Sequence, residues 1–174
     1  AGDLASARLP AGKGDPVSGS FWLQQNKTRL WLWEWIEAAS ELGSVTENIA
    51  ADLKALSADT LDHGACIEKY RALWWRMDRA HRLFTASTEK YQSVHSDLHI
   101  KAFVDIRCDL NTMYREALDV QSELWNDVCR SRGFLPEPSL RQRNFFDVHI
   151  LPAVREKKKL AILFVDALRY ELGM

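Results

Sequence analysis

Two series of mostly apolar side chains between residues 67 and 124 constrain the fold more than any other feature of the sequence. Their members recur at alternating intervals of three and four residues. The first series is Ile67, Tyr70, Trp74, Met77, His81, Phe84, Thr88 and Tyr91, and the second is Phe103, Ile106, Leu110, Met113, Ala117, Val120 and Leu124. Such spacing places every member on one side of an α-helix, as in coiled coils. The sequence therefore predicts two long helices.

The relation between the two series predicts a hairpin. Their phase breaks by one residue between Leu98 and Phe103, which argues against one continuous stripe. Folding the chain back near residues 95–100 matches the series in reverse order, so that large side chains tend to face smaller ones. The predicted facing pairs are Tyr91–Phe103, Thr88–Ile106, Phe84–Leu110, His81–Met113, Met77–Ala117, Trp74–Val120 and Tyr70–Leu124. We therefore expect an antiparallel helical hairpin over about residues 60–130.

Three residues of this hairpin carry groups that could react. Cys66 and Cys129 would lie near each other at its base, where two reduced packing cysteines are favoured and a disulfide stays open. His81 lies on the apolar stripe and is interpreted as a partnered interior histidine rather than a catalytic one. The sequence offers no grouping of Ser, His and Asp, or of Cys and His, that would support nucleophilic catalysis.

The region before the hairpin is also predicted to be helical. Between residues 21 and 42, side chains recur at helical intervals, and Gly43 is interpreted as the stop of this helix. The recurring residues are Trp31, Trp35, Ala38 and Leu42. Stacking of nucleic-acid bases on the tryptophans would need interleaved basic residues, and Lys27 and Arg29 alone are near. Core packing is therefore the preferred interpretation.

Local signals divide the rest of the helical region. Ser44-Val45-Thr46-Glu47 has the pattern of a capping box, which predicts a second, short helix to about Leu56. Residues 57–60 supply the next break. Arg130-Ser131-Arg132-Gly133 is typical of a helix end, with cations in the last turn and a glycine just past it. Leu135-Pro136-Glu137-Pro138 is the clearest domain boundary in the chain.

After this boundary the sequence predicts one helix and then one strand. Ser139 is expected to cap a helix through about Arg155, which Pro152 should distort or end. A basic run then precedes Leu160–Val165, an unbroken apolar stretch typical of a strand buried on both faces of a parallel sheet. Asp166 would lie just beyond the carboxyl end of that strand.

Asp166 has two interpretations from its position alone. Ligands of open α/β sheets collect beyond the carboxyl ends of the strands, and a carboxylate there suits a divalent cation. Alternatively, Asp166 caps the helix predicted over residues 167–172 by accepting backbone N–H bonds. Spacing alone favours the cap.

A family resemblance favours the interpretation of Asp166 as a metal ligand. The chain resembles the opening motif of the PglZ family at Val165-Asp166-Ala167-Leu168-Arg169-Tyr170-Glu171, preceded by Gln142, Phe145-Phe146, Val148 and Leu151-Pro152. PglZ proteins belong to bacterial phage-resistance systems of the BREX type, and their core domain is similar to the alkaline phosphatase superfamily. The resemblance covers about the last 35 residues clearly and the preceding helices loosely.

The resemblance implies a role for Asp166 and an incomplete site. In that superfamily the Asp after the first strand binds a catalytic metal, zinc or a similar divalent ion, and this role passes to Asp166. The nucleophile and the other metal ligands lie downstream of the motif, whereas this chain ends eight residues after Asp166. We therefore expect a fragment without catalytic residues of its own and without a tightly bound metal. Its implied partners are the remainder of the parent protein and, as further candidates, other phage-defence proteins.

Composition sets the outer limits. The formal net charge of −1 gives no global electrostatic case for binding nucleic acid or membranes, and no apolar run is long enough for a membrane span. Three widely spaced cysteines indicate neither a zinc knuckle nor a disulfide framework, so a cytoplasmic setting is expected. His95 and His99 around Asp97 could hold a metal at the hairpin turn, but a plain polar turn is favoured.

The predicted fold class is mainly α: a helical bundle with a long antiparallel hairpin, followed by one C-terminal β-strand that would begin an α/β alkaline-phosphatase-like domain. Residues 1–20 are expected to be a flexible lead-in, residues 21–134 a helical domain, and residues 135–174 a linker, helix and first strand of a PglZ-type domain. Two functions remain open. The chain is part of a metal-dependent phosphatase or phosphodiesterase, or it is a helical protein-interaction or scaffolding module without catalysis.

Overall fold

The structure, a computed structural model, describes residues 27–93, 101–162 and Tyr170, and within them the chain is mainly α-helical. Its helices are α1 (Lys27–Lys54), α2 (His63–Lys69), α3 (Trp75–Gln92), α4 (Lys101–Arg132) and α5 (Leu151–Arg155). A π-helical turn, Tyr70–Trp74, joins α2 directly to α3. The predicted helical content is therefore confirmed, and the described part contains no strand.

Helix α1 is continuous, so the predicted stop at Gly43 and the capping box at Ser44–Glu47 are wrong. The buried residues of α1 continue through this region, with Leu42, Thr46, Ile49 and Leu53 at helical spacing. Gly43 has a negative φ and lies inside the helix rather than at its end. A Cβ at this position would lie 3.4 Å from Leu110 Cδ2, an ordinary contact distance, so the packing of α1 on α4 leaves space for a methyl group here.

Helix α1 packs along both α3 and α4 and supplies one side of two hydrophobic clusters. The cluster nearer the α3–α4 connection contains Trp35, Ala39, Leu42, Ala80, Phe84, Tyr91 and Phe103. The cluster nearer the hairpin base contains Ile49, Leu53, Leu61, Cys66, Trp74, Met77, Ala117, Leu124 and Val128. Because each cluster draws on all three long helices, residues 27–132 form one bundle, called the bundle below.

The arms of the hairpin run antiparallel, as predicted, but α1 changes which residues face each other. The rings of Tyr91 and Phe103 lie 5.6 Å apart between centroids, which confirms that pair. The pair Thr88–Ile106 is wrong, because Thr88 accepts a hydrogen bond from Trp35 Nε1 of α1 at 3.0 Å and Ile106 is exposed. Thr88 therefore faces α1 rather than Ile106, which lies at the surface.

The base of the hairpin is closed by reciprocal polar contacts. The Arg132 guanidinium donates to the carbonyl oxygens of Leu61 and Asp59, at 2.6 and 3.2 Å. In return, the buried His63 ring lies 2.9 Å from the Gly133 carbonyl oxygen, to which its Nε2 must donate. Asp62 caps α2 by accepting from Ala65 N. The break expected at residues 57–60 is present, although the helix starts at His63.

Helix α4 ends as predicted. Its last residue is Arg132, and Gly133 follows with φ +88°, in the left-handed region that glycine adopts without a steric penalty. Cys66 and Cys129 are both buried and reduced near this base. Burial raises the pKa of the Cys66 thiol, and the nearby Asp62 and Cys129 add to the rise. The preference for two packing cysteines is confirmed.

Residues 133–162, called the C-terminal segment below, differ from the predicted single helix. Short 3₁₀ turns cover Pro138–Leu140 and Gln142–Asn144, and a π-helical turn, Phe146–Ile150, leads into α5. Ser139 lies inside the first 3₁₀ turn, so its predicted capping role is wrong. A π turn precedes Pro152, in agreement with the predicted distortion, but the helix does not end there, because Pro152 lies in the first turn of α5. Proline has no N–H to continue the α-helical ladder.

The predicted strand Leu160–Val165 is not seen in the residues that can be described. Leu160, Ala161 and Ile162 have no regular secondary structure, and Leu160 and Ile162 are exposed. The remainder of that stretch and Asp166 lie outside the described residues. So do the lead-in of residues 1–20 and the turn that carries His95, Asp97 and His99.

Candidate functional site

Tyr170 is the one residue of the stretch 165–171 that the structure describes. Its ring lies edge-on to two aromatic rings of the bundle, 5.9 Å from Tyr70 and 6.4 Å from Trp75 between centroids. A hydrogen bond with Tyr170, together with Glu68, raises the pKa of the Arg71 guanidinium. Tyr170 therefore contacts the bundle at the junction of α2 and α3.

A π-helical turn, Tyr70–Trp74, lies at the junction that Tyr170 contacts. A π turn inserts one residue into a helix and so shifts the direction of the side chains that follow. Trp74 points inward and is buried, whereas its neighbours Tyr70 and Arg71 in the same turn contact Tyr170. The π turn thus contributes Trp74 to the core, and Tyr70 and Arg71 to the contact with Tyr170.

Asp78 ties the two arms of the hairpin together below Tyr170. The Tyr70 hydroxyl donates to Asp78 Oδ2 at 2.6 Å, and the Tyr114 hydroxyl of α4 donates to Oδ1 at 3.0 Å. Both carboxylate oxygens are therefore engaged by phenol groups from different helices. Hydrogen bonds to an ionised acceptor are about twice as strong as neutral ones, so this link fixes the Tyr70 ring.

Asp52 makes a second polar link, between α1 and the π turn. It accepts from Trp74 Nε1 at 2.9 Å and from Lys69 Nζ at 2.9 Å. Burial alone would raise the pKa of Asp52, but the hydrogen bonds from Trp74 and Lys69 and the charge of Lys69 lower it overall. Asp52 is therefore an ionised structural residue whose oxygens are already occupied.

His81 has partners, as predicted, but they are Tyr114 and Asn111 rather than Met113. The ring stacks on Tyr114, with centroids 3.9 Å apart and planes 4° from parallel. Its Nε2 lies 2.9 Å from Asn111 Oδ1, while Asn111 Nδ2 donates to the Arg107 carbonyl oxygen at 2.8 Å. Because the Asn111 amide nitrogen is a donor, its oxygen accepts and His81 Nε2 carries the hydrogen.

The described residues do not assemble a metal site. No group of three or more His, Cys, Asp or Glu side chains among them could hold an ion. Asp166, which lies outside them, would contribute one carboxylate, whereas catalytic metal sites take three or more protein ligands. The described residues and Asp166 together therefore supply too few ligands for a complete catalytic metal centre. No catalytic step is assigned to this chain alone.

Several residues of these links were not found from the sequence. Tyr114 lies one position after Met113, the residue placed on the predicted stripe, and Asp78 lies one position after Met77. Phe103, Ala117 and Leu124 of the predicted stripe are buried, but Met113 is exposed and its neighbour Tyr114 makes the polar link instead. His63 is a polar residue at a helix start, and no periodic signal marks it as buried.

Comparisons with family models, curated proteins and solved structures give no match to this chain. Among the described helices, none combines the length and apolar character that crossing a bilayer requires. What the fold and its links define is a mainly α-helical bundle that contacts Tyr170 near the end of the sequence.

Proposed function

We propose that this chain forms the N-terminal part of a PglZ-like metal-dependent phosphatase or phosphodiesterase of bacterial phage defence. In this proposal the bundle braces a catalytic domain of the alkaline phosphatase type, and Asp166 is one of its metal ligands. The support is the motif at residues 165–171 together with the surface of the C-terminal segment that precedes it.

The exposed apolar surface of the C-terminal segment is the observation that carries the proposal. Eight of its large apolar side chains are exposed, and Ile150 is the one buried residue among its described side chains. The exposed residues are Phe134, Leu135, Phe145, Phe146, Val148, Val154, Leu160 and Ile162. Large exposed apolar side chains are typical of surfaces that contact further protein when they lie together. The proposal assigns that contact to the rest of the PglZ-like domain.

The proposal gives the metal to the complete domain rather than to this chain. A divalent metal bound there would polarise a phosphoryl oxygen and lower the pKa of a nucleophile. Asp166 alone supplies too few ligands to retain the ion. The three reduced cysteines support the cytoplasmic compartment that phage defence requires.

A second candidate function, a docking module without catalysis, is favoured by one observation. Tyr170 lies against Tyr70 and Trp75, so the bundle offers an aromatic surface to the segment that follows it. This is compatible with the first proposal, because a brace contacts the domain it supports. Without a downstream catalytic domain, the same surface would make the bundle a scaffold for partner proteins.

Activity measurements separate the two candidates. The 174-residue chain with added Zn²⁺ or Mn²⁺ should hydrolyse neither p-nitrophenyl phosphate nor bis-p-nitrophenyl phosphate above background. The longer protein that the proposal envisages should hydrolyse one of them, and Asp166→Ala should reduce that rate by about a hundredfold or more, since a lost metal ligand removes the ion.

Asp119→Ala is the matched control, because Asp119 is exposed on α4 and should leave the rate unchanged. Metal content measured by mass spectrometry should fall with Asp166→Ala and not with Asp119→Ala. A metal-stimulated rate in the 174-residue chain, lost with Asp166→Ala, would contradict the assignment of the remaining ligands to a downstream region.

A further inference from the structure

A polar groove lies on the face of the hairpin opposite α1. Helix α1 holds α3 and α4 together on one side, and on the other they leave a cavity of about 640 Å³. Phe84, Thr88 and Tyr114 are at its bottom, where Thr88 is fixed by Trp35 of α1. A volume of this size is within the range of small-molecule sites.

The charges along this groove favour an anion. Arg107 and Arg115 line the α4 wall and are eight residues apart, a rise of about 12 Å along the helix. Neither guanidinium has a hydrogen-bond or ion-pair partner among the described residues, and Glu89 is the one acidic residue of the described lining. Arginine binds phosphate through paired N–H donors, and an unpaired arginine keeps that capacity available.

The middle of the groove is rigid and offers neutral hydrogen-bonding groups. The stack of His81 on Tyr114 and the bond of His81 to Asn111 hold both polar side chains in place. Asn111 uses one of its two amide hydrogens on the Arg107 carbonyl oxygen, which leaves the other for a ligand. His81 Nδ1 remains as an acceptor, because Nε2 donates to Asn111.

These groups select among ligands. An apolar molecule would desolvate two arginines without compensation, at a cost that excludes it. A bare inorganic anion would use the guanidinium groups and leave the cavity and the Asn111 and His81 groups unfilled. A molecule with a phosphate and a polar body of nucleotide size matches both sets.

We propose that this groove binds a phosphorylated metabolite of nucleotide size, with Arg107 or Arg115 on the phosphate and Asn111 and His81 on the polar body. The proposal is independent of Asp166 and of any phosphatase activity. It also identifies a built-in reporter, because Cys108 lines the groove and is exposed, whereas Cys66 and Cys129 are buried.

The test measures how fast Cys108 reacts with a disulfide reagent such as dithionitrobenzoate in the intact chain. The probes are AMP, GMP, CMP, UMP and glucose 6-phosphate, with inorganic phosphate and adenosine for comparison. At about ten times its dissociation constant, at least one phosphorylated probe should slow the reaction about tenfold, since occupied grooves do not react. Inorganic phosphate and adenosine should protect only at much higher concentrations.

The variants Arg107→Ala and Arg115→Ala should fold normally by circular dichroism, and at least one should raise the concentration needed for protection about tenfold or more. Arg130→Ala, an exposed arginine on the same helix but outside the groove, should leave protection unchanged. The proposal is overturned if no phosphorylated probe protects Cys108, if inorganic phosphate protects at the same concentration as the best probe, or if Arg130→Ala weakens protection as much as the groove variants do.

Discussion

The bundle and the C-terminal segment contain similar apolar side chains and place them differently. Phe84 in the bundle is 1% exposed and Phe146 in the segment is 57% exposed. The bundle buries most of its apolar stripes between its own helices, with Ile106 and Met113 exposed, while the shorter segment keeps eight large apolar residues at its surface and buries one. The difference shows that amphipathic composition alone does not indicate whether a region is self-sufficient, that is, whether it buries its apolar side chains against its own helices. A third helix, α1, completes the core of the bundle, and nothing described covers the segment in the same way.

A pair of phenylalanine substitutions should give the largest contrast. Phe84→Ala should reduce the free energy of unfolding by about 3–5 kcal/mol, because it leaves a cavity between three helices. Phe146→Ala should change it by about 0.5 kcal/mol or less, since an exposed ring loses little on truncation. Urea denaturation followed by tryptophan fluorescence measures both. Equal losses would show that the segment has a core of its own.

A pair of carboxylate-to-amide substitutions should give an intermediate effect. Asp52→Asn should cost about 1–2 kcal/mol, because Trp74 and Lys69 would donate to a neutral acceptor instead of a charged one. Glu156→Gln in the segment removes an exposed ion pair with Lys158 and should cost about 0–0.5 kcal/mol.

The Asp52 effect should depend on pH in a defined direction. The pKa of Asp52 is lowered in the folded protein below its ordinary value of 3.8, so its contribution is fully present above that value. It is lost as the pH falls through the lower, folded value. The difference between wild type and Asp52→Asn should therefore be constant above about pH 5 and shrink below about pH 4. A difference that grows on acidification would contradict the assigned shift.

Replacing Gly43 and Gly133 by alanine should change the free energy of unfolding in opposite directions. Gly43→Ala should stabilise the protein by about 0.5–1 kcal/mol, because α1 is helical there and a Cβ meets Leu110 at an ordinary contact distance. Gly133→Ala should destabilise it by about 1 kcal/mol, because φ is +88° where α4 ends. Thermal denaturation of the two variants checks the signs. Destabilisation by Gly43→Ala would indicate that Leu110 cannot shift to accommodate the methyl group.

Most features that depend on a single helix could be predicted from the sequence. The contacts that depend on packing against a third helix, α1, could not. The helical arms and the end of α4 at Gly133 follow from periodicity and local chemistry, and both are confirmed. The partner of Thr88 could not be predicted, because periodicity identifies a stripe but not the helix that covers it. Gly43 misled because glycine occurs inside helices as well as at their ends, and composition does not distinguish these positions.

The candidate site was predictable to a smaller extent. Asp166 was identified through a family resemblance, and it lies outside the described residues, so its role stays a prediction. The contacts of Tyr170 lie at the π turn Tyr70–Trp74 and at Trp75, and no pattern in the sequence marks this turn. The His81–Asn111 bond joins α3 to α4, and helical periodicity does not identify such a polar pair. Each is a tertiary consequence rather than a local one.

Amide hydrogen exchange of the 174-residue chain, read by mass spectrometry, tests most directly whether the bundle is self-sufficient and the C-terminal segment is not. Slow exchange should be confined to α1, α3 and α4, with protection approaching the free energy of global unfolding in their buried turns. Residues 142–155 should exchange much faster, because their helical turns are backed by few buried apolar contacts. Protection of residues 142–155 equal to that of α1 would contradict the account.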